Sequence, residues 1–382
     1  MKEEGMDAVA RNEGQSTVGP RNRRTQQTTG VSCLALRRVS ASPRLRVILS
    51  SLCLCIPVVS LLTGCSRKAD DAQNTVTLYT SVDEPFALEV VAEFEKQSGI
   101  RVQVVTDTEA GKTTGLVRRI EAERANPRAD VFWSSELFNT IRLARDGLLA
   151  EYRPPAEGIP DRYKDPNGRW TAFGTRARVL CYNTQAVKED QVPETWRDIT
   201  DSRWAGKLAF ADPRFGTTTG HVAAMYALWG EAEYVEFLKQ LSQVTDGVLM
   251  DGNATAARRV GSGEFSIGAT DTDDVYARQG RGEPIAMIFP DMGDGGTLLI
   301  PNSVGLVTGA PRPEAAKKLI DFLTSATTER MLARSESRNY PVREDLRREL
   351  NMELPPETSV PFEKIADAMD PALRLAGEYL VK

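Results

Sequence analysis

Short runs of hydroxyl side chains stand between a predicted strand and a predicted helix at three places in this sequence. Hydroxyl groups, together with the backbone N–H groups of a first helical turn, can bind an oxygen-rich anion. Because the carboxyl ends of strands meet at one edge of an open α/β sheet, three such loops predict one shared anion site. The residues concerned are Thr80 and Ser81, Ser134 and Ser135, and Thr217, Thr218 and Thr219, the last three in the loop before a helix predicted to begin at Gly220.

Charged side chains follow one further predicted strand and lie within another. Asp271, Asp273 and Asp274 could receive an ammonium group or a hard metal ion. The alternative is that they cap a helix and that two of the three are exposed to water. Arg176 and Arg178 are two residues apart on a strand and so point the same way. Either one of them faces a ligand oxyanion or a carboxylate of another domain, or both are exposed or structural.

Several kinds of chemistry are excluded by composition. His221 is the single histidine, so a multi-histidine metal site and histidine acid–base catalysis are excluded, and we expect this residue to face the core or to cap a helix. No serine lies in a G-x-S-x-G motif, and Thr106 stands where a phosphate-binding loop ending at residues 111–113 would need glycine. The net charge of −5 argues against nucleic acid as a partner. We therefore predict a binding protein with no catalytic residues, and an inert, buried Cys181.

We interpret the first 64 residues as a targeting segment. An apolar run over residues 47–62 follows Arg37, Arg38, Arg44 and Arg46 and ends at Leu62-Thr63-Gly64-Cys65. This resembles a bacterial lipoprotein signal, in which the cysteine is lipidated and becomes the mature N-terminus. The resemblance implies a signal and extension over residues 1–64, lipidation at Cys65 and a tether over residues 65–74. The alternative is an ordinary N-terminal anchor helix or an accidental cysteine.

From Thr75 onward, strand and helix patterns alternate, which predicts an α/β fold with largely parallel sheets. Two extended segments, residues 173–183 and 297–307, are far apart in the chain and bracket its middle. We interpret them as hinge strands that cross between two domains, one of residues 75–175 plus 305–382 and one of residues 184–300. A cleft would lie between these domains. Residues 248–250 are predicted as a further strand.

The motifs YTSVDEPF, ADVFWSSE, FGTRARVLCYNT, FGTTTG, TDTDD and PEAAKKLIDFL resemble type II solute-binding proteins of ABC importers. The similar branch contains ferric-iron, phosphonate and phosphoglycerate binders. The resemblance implies two α/β domains, joined by two crossing strands, that close on a solute and then dock on a membrane permease. It covers residues 75–345 and indicates the fold and general role better than the ligand.

The ferric members of this branch typically hold iron with a histidine or acid after the first strand, an acid after the third, and an adjacent tyrosine pair. Here Ser134 and Ser135 follow the third strand, and Asp273 and Asp274 stand where the tyrosine pair would be. A phosphonate or phosphate ester is therefore expected, with Asp271 or Asp273 receiving an amine. The alternative ligand is Fe(III), as transported cargo, on Asp271, Asp273 and Asp274.

The predicted function is that of a substrate-binding lipoprotein of an ABC importer, monomeric, lipid-anchored in the periplasm or cell envelope, without a resident cofactor. Its partners would be permease subunits and a small anion or zwitterion. A periplasmic enzyme or the ligand-binding subunit of a sensor is the alternative of another class. The predicted ligand-binding residues are Thr80, Ser81, Ser134, Ser135, Arg176, Thr217, Thr218, Thr219, Asn253, Asp271 and Asp273.

Overall fold

A computed structural model describes residues 74–107, 111 and 113–381. The predicted signal, Cys65 and the tether up to residue 73 lie outside the described residues. No helix within the described ranges combines the length and the apolar content needed to cross a bilayer.

Nine strands and eleven helices are found in the described part of the chain. The strands are β1 Thr75–Thr80, β2 Arg101–Thr106, β3 Val131–Ser134, β4 Leu149–Ala150, β5 Thr171–Asn183, β6 Leu208–Ala209, β7 Ile267–Asp271, β8 Ile285–Ile288 and β9 Leu299–Val307. The helices are α1 Glu84–Ser98, α2 Thr114–Ala122, α3 Phe138–Arg145, α4 Gly216–Trp229, α5 Glu231–Thr245, α6 Asn253–Gly261, α7 Thr272–Gln279, α8 Pro313–Leu323, α9 Ala326–Arg334, α10 Glu344–Leu350 and α11 Phe362–Tyr379. Residues 248–250 form no strand, and only Met250 makes an isolated bridge, to Ala211.

The strands form one mixed sheet in the order β2-β1-β3-β9-β5-β7-β6, with β4 beside β9 and β8 beside β5. Strand β1 pairs in parallel with β2 and β3, and β6 pairs in parallel with β7. Strands β5 and β9 are antiparallel to their neighbours. The expectation of a largely parallel sheet is therefore wrong for the centre, because the two strands that cross the molecule run against the others.

The two crossing strands were predicted correctly. The first part of β5, up to Ala177, pairs with β9, and its last part pairs with β7 and β8. One strand therefore continues from the half that contains β1–β4, called here the first half, into the half that contains β6–β8, the second half. The register of β5 shifts between Phe173 and Thr175, where Gly174 has a φ of 49° that favours glycine.

Alternate side chains along β5 pack into two different hydrophobic cores. Ala177, Val179 and Cys181 point into a small core under α6 and α7, whereas Leu180 and Tyr182 point into the main core. Cys181 is fully buried, as predicted. Arg176 and Arg178 lie on the same face as Leu180, so this strand directs two guanidinium groups inward at the centre of the sheet.

The C-terminal helix α11 contacts elements of both predicted domains. Asp370 pairs with Arg142 of α3 at 2.9 Å, and the carbonyl oxygen of Ala372 accepts a hydrogen bond from the Tyr234 hydroxyl of α5 at 3.1 Å. The assignment of residues 305–382 to the first domain therefore stays a prediction, as do the other boundaries.

Helices α3 and α4 approach each other closely at Gly220. A Cβ atom at this position would lie 2.2 Å from ring atoms of Phe138, which is fully buried. Glycine is the least favourable residue after proline in a helix interior, so the space taken by the Phe138 ring explains its presence here. Gly377 in α11 offers a contrast, because a Cβ atom there would meet nothing within 4 Å.

We predict opposite effects for Gly220→Ala and Gly377→Ala on the free energy of unfolding, measured by urea denaturation. Gly377→Ala should stabilise the protein by about 0.5–1 kcal/mol, the ordinary gain in a helix. Gly220→Ala should destabilise it by about 1–3 kcal/mol, because the added methyl group overpacks against Phe138. Equal stabilisation by both substitutions would show that the α3–α4 contact is not tight.

Candidate functional site

The hydroxyl groups of the first half come together at the ends of β1 and β3. Because these strands are parallel neighbours, with Thr80 opposite Trp133, the residues that follow them meet at one edge of the sheet. The Ser81 hydroxyl lies 3.4 Å from that of Ser134 and 3.2 Å from that of Ser135. The sequence correctly predicted that these loops meet.

Most of these hydroxyl groups shape the loops. The Thr80 hydroxyl accepts a hydrogen bond from the Val82 backbone N–H at 3.2 Å, and the Ser134 hydroxyl accepts one from the Glu136 N–H at 3.2 Å. Ser81 accepts the Ser135 N–H at 2.9 Å. Of this group, Ser135 lines the cavity between the halves.

Glu136 is a buried carboxylate that the sequence analysis did not single out. It accepts hydrogen bonds from the backbone N–H groups of Phe138 at 2.6 Å and Asn139 at 3.1 Å, so it caps the start of α3. Burial raises the pKa of Glu136, although these hydrogen bonds oppose the shift. The sequence signal that could have identified Glu136 is a serine pair followed by an acidic residue at the start of a helix.

In the second half, α4 begins at Gly216, four residues earlier than predicted. Gly216 has a φ of 60°, and this turn lets the three threonines enter the first turn of the helix rather than a preceding loop. The Thr219 hydroxyl donates to the carbonyl oxygen of Pro213 at 2.8 Å and does not line the cavity. Thr217 lines the cavity, and its hydroxyl donates to Asp271 Oδ2 at 2.5 Å.

Arg178 is fully buried and connects three elements of the second half. Its Nη1 donates to Asn253 Oδ1 of α6 at 2.7 Å and to Asp271 Oδ1 of β7 at 3.1 Å. Its Nη2 donates to the Thr218 hydroxyl of α4 at 3.3 Å, and its Nε donates to His221 Nδ1 at 3.2 Å. The starts of α4, α6 and α7 are therefore held at fixed positions around one guanidinium group.

Arg176 connects the two halves. Its Nη1 donates to Asp273 Oδ2 at 3.0 Å and lies 3.7 Å from Asp271 Oδ2, and its Nη2 donates to the Ser135 carbonyl oxygen. Its Nε is buried and has no hydrogen-bond partner among the described residues. Burial alone would lower the pKa of Arg176, but the carboxylates of Asp273 and Asp271 raise it, so the group stays charged.

The three carboxylates at the end of β7 and the start of α7 lie close together. Oxygen atoms of Asp271, Asp273 and Asp274 are all within 4.8 Å of one another. Asp271 and Asp273 are buried and Asp274 is half-buried, so the alternative in which two of the three are exposed to water is wrong. Burial raises the pKa of Asp273 more than the Arg176 guanidinium lowers it, and Asp271 and Asp83 add to the increase.

A central cavity lies where these groups meet, between the first and second halves, and spans about 400 Å³ when its solvent-open space is counted. Predicted residues that do not line it are Thr80, Ser81, Ser134, Thr218 and Thr219. Additional lining residues come from the same loop ends, which the strand-to-helix pattern could have indicated. The residues that line it are Asp83, Ser135, Arg176, Phe215, Gly216, Thr217, Asp251, Gly252, Asn253, Asp271, Asp273 and Asp274.

His221 lies in the core, as predicted, with its ring at 4.1 Å from the Trp196 ring in an edge-on arrangement. Burial and the nearby Arg178 guanidinium lower its pKa well below the ordinary value of 6.5. The neutral imidazole can therefore accept the hydrogen bond from Arg178, which a protonated imidazole could not.

We predict that His221 makes stability fall as pH decreases below about 6.5, its unfolded-state pKa. There the unfolded chain binds a proton that the folded protein does not, so the free energy of unfolding should fall by about 1.4 kcal/mol per pH unit. His221→Asn keeps an acceptor near Nδ1 and cannot titrate. Urea denaturation at pH 7.5, 6.5 and 5.5 should show a shallower pH dependence for the variant. Identical slopes for both proteins would contradict a neutral, buried His221.

Comparison with known proteins gives a consistent result. The model of the family described as bacterial extracellular solute-binding protein matches residues 127–368. Iron uptake protein A1 of Synechocystis is 26% identical over 299 residues, covering 74% of this chain and 81% of the relative. A Salmonella typhimurium protein, provisionally named a 2-aminoethylphosphonate-binding periplasmic protein, is 30% identical over 259 residues, covering 66% of this chain and 73% of the relative.

A solved structure shows the same fold. The periplasmic binding protein AfuA of Actinobacillus pleuropneumoniae, determined with fructose-6-phosphate bound, superposes with a TM-score of 0.69 at 22% identity. The match covers 80% of this chain and 98% of that one. The fold is therefore the type II periplasmic-binding-protein fold, with β5 and β9 as its two crossing strands.

Proposed function

The chain belongs to the bacterial extracellular solute-binding proteins, and from that premise we propose that it captures a small phosphonate or phosphate ester that also carries an amine. The observation that carries this proposal is the mixed lining of the central cavity. Hydrogen-bond donors and one guanidinium group line it together with carboxylates. A solute with both kinds of charge can bind both kinds of group.

The hydrogen-bond donors that line the cavity suit an oxyanion. Arg176 has a buried Nε without a partner among the described residues, and both Arg176 and Ser135 line the cavity. Helices α4 and α6 begin at Gly216 and Asn253, both of which line the cavity. Helix starts carry partial positive charge and favour phosphate and phosphonate groups. Hydrogen bonds from a guanidinium to such oxygens are among the strongest that proteins form.

The carboxylates that line the cavity suit an amine. Asp251 and Asp274 line the cavity together with Asp83, Asp271 and Asp273. The guanidinium groups of Arg176 and Arg178 pair with Asp271 and Asp273, so the lining as a whole remains negative. A plain dianion would be repelled by this lining, whereas an ammonium group on the solute offsets it. The Salmonella relative provides support, since its provisional ligand is an aminophosphonate.

One ligand that contacts both halves would favour the closed arrangement. Ser135 belongs to the first half, and Thr217, Asn253 and Asp274 belong to the second. The closed form offers both sets of groups at once, so a ligand that uses both shifts the population toward closure. A micromolar dissociation constant would correspond to about 8 kcal/mol of binding free energy.

The cellular setting is part of the same proposal. The protein would act in the periplasm or cell envelope as a monomer, held to a membrane by a lipid on Cys65, and would deliver its solute to ABC permease subunits. It would bind its solute without turnover, with no catalytic residues and no nucleic-acid partner. The family assignment and the periplasmic relatives support this setting.

Ferric iron is the second candidate cargo. It is favoured by the 4.8 Å clustering of the carboxylates of Asp271, Asp273 and Asp274, because Fe(III) is a hard cation that prefers oxygen ligands. The Synechocystis relative is an iron uptake protein. Against this candidate, Arg176 and Arg178 already occupy two of the three carboxylates, and both are cations.

We predict that Arg176→Gln weakens binding of 2-aminoethylphosphonate by about 30-fold or more in isothermal titration calorimetry. The reason is that the substitution removes a buried charged donor from the proposed oxyanion site. The matched control is Arg197→Gln, which removes an exposed arginine paired with Glu233 and should leave the affinity unchanged. Equal affinities for the parent protein and Arg176→Gln would rule out this oxyanion site.

We further predict that the amine contributes to binding. Ethylphosphonate, which lacks the amine, should bind about tenfold or more weakly than 2-aminoethylphosphonate, and Asp274→Asn should reduce that difference. The same titrations should include ferric citrate. A protein that becomes coloured with Fe(III) and binds neither phosphonate would establish the iron candidate instead.

A further inference from the structure

A hydrogen bond between two tyrosine hydroxyl groups, neither of which lines the central cavity, joins the two halves. The Tyr276 hydroxyl, on α7 of the second half, lies 3.0 Å from the Tyr340 hydroxyl, in the segment between α9 and α10. The guanidinium carbon of Arg338 lies 5.0 Å from the centre of the Tyr276 ring. We infer that these two contacts form a latch that holds the halves together and sets how often the cleft opens. The latch goes beyond the proposed function, because it acts in the ligand-free protein whichever solute binds.

Residues 335–343, called here the strap, are fixed to the first half. The Tyr340 backbone N–H donates to the Thr175 carbonyl oxygen at 2.8 Å, and the Thr175 N–H donates to the Tyr340 carbonyl oxygen at 2.6 Å. Thr175 lies in the part of β5 that pairs with β9. Asn339 Oδ1 accepts a hydrogen bond from Asn302 Nδ2 of β9 at 2.8 Å. Since β9 and this part of β5 belong to the first half, the strap moves with that half.

Helix α7 connects the latch to the second half and to the central cavity. Val275, the residue before Tyr276, packs in the small core with Val179 and Cys181. Asp273, three residues before Tyr276, lines the central cavity. Residues three apart on a helix lie on the same face. The latch therefore holds the helix that carries cavity carboxylates against the strap of the first half.

The backbone of Arg338 is strained in a way that serves the latch. Its φ of 44° is a left-handed conformation, which is unfavourable for any residue that has a Cβ atom. The guanidinium group lies over the face of the Tyr276 ring, whose electrons attract a cation. Among the described residues, this ring is the only aromatic or charged partner of the Arg338 side chain. The contact with Tyr276 therefore offsets the backbone strain.

The latch can open at small cost because its groups are polar and reach water. Tyr276 is half-buried and Arg338 is exposed, so water can replace both contacts when the halves separate. One hydrogen bond of this kind changes an equilibrium constant by about 2- to 12-fold. The contact between α3 and α4 is different, since Gly220 packs there against the fully buried Phe138 ring. The latch thus biases the protein toward closure without locking it.

The experiment measures the ratio of open to closed ligand-free protein by small-angle X-ray scattering. Tyr276→Phe and Tyr340→Phe each remove one hydroxyl group and keep the ring, and each should raise this ratio about 2- to 12-fold. The double variant should raise it no further, because both hydroxyl groups belong to one hydrogen bond. Arg338→Gln removes the cation and should raise the ratio about 2- to 5-fold.

The matched control is Tyr152→Phe. It removes a phenol hydroxyl that donates to Asp321 at 2.7 Å within the first half, and it should leave the ratio unchanged. Thermal unfolding will show that each variant is folded. Scattering from both latch tyrosine variants that matches the parent protein, or a parent protein that is already fully open, would overturn the latch. Because the measurement needs no solute, a failure of 2-aminoethylphosphonate to bind would count against the proposed function alone.

Discussion

The buried guanidinium group of Arg178 is the constraint on which the site depends. A buried cation is tolerated only where its donors and its charge are satisfied, and Arg178 meets this demand with Asn253, Asp271, Thr218 and His221. These partners belong to α4, α6 and β7. The strand that carries Arg178 thereby fixes where two helices begin and where the carboxylate of Asp271 points. This hydrogen-bond network therefore fixes the positions of residues that line the cavity.

Arg176, two residues earlier on the same strand, has a different environment because β5 crosses from one half to the other. Arg178 lies opposite Asp271 of β7, within the second half, whereas Arg176 pairs with Ile300 of β9 and reaches Ser135 of the first half. One arginine organises the second half, and the other lies between the halves beside the cavity. Alternation directs both side chains inward, and the crossing of β5 between the halves separates a structural role from a proposed ligand contact.

Much of the fold could be predicted from the sequence, because the strand-to-helix alternation and the crossing strands depend on local patterns. The meeting of Ser81 with Ser135 followed from the rule that parallel strands end at one edge. The hydrogen-bond partners of single hydroxyl groups could not be predicted from the sequence. Thr80 and Thr219 hydrogen bond to nearby backbone groups, which residue spacing does not reveal. Leu332 and Asn339 line a small cavity together with Arg176, although they lie more than 150 residues away from it along the chain. Long-range packing of this kind carries no local sequence signal, and the predicted domain boundaries remain predictions for the same reason.

The central claim is that Arg176 binds the oxyanion of an amine-bearing solute in the central cavity. A crystal structure of the protein with 2-aminoethylphosphonate tests it most directly. The account predicts phosphonate oxygens within hydrogen-bond distance of Arg176 and Ser135, and the amine beside Asp251 or Asp274. A structure in which Arg176 still binds only Asp273 and the Ser135 carbonyl oxygen, with the solute elsewhere or a metal ion among the carboxylates, would contradict the account.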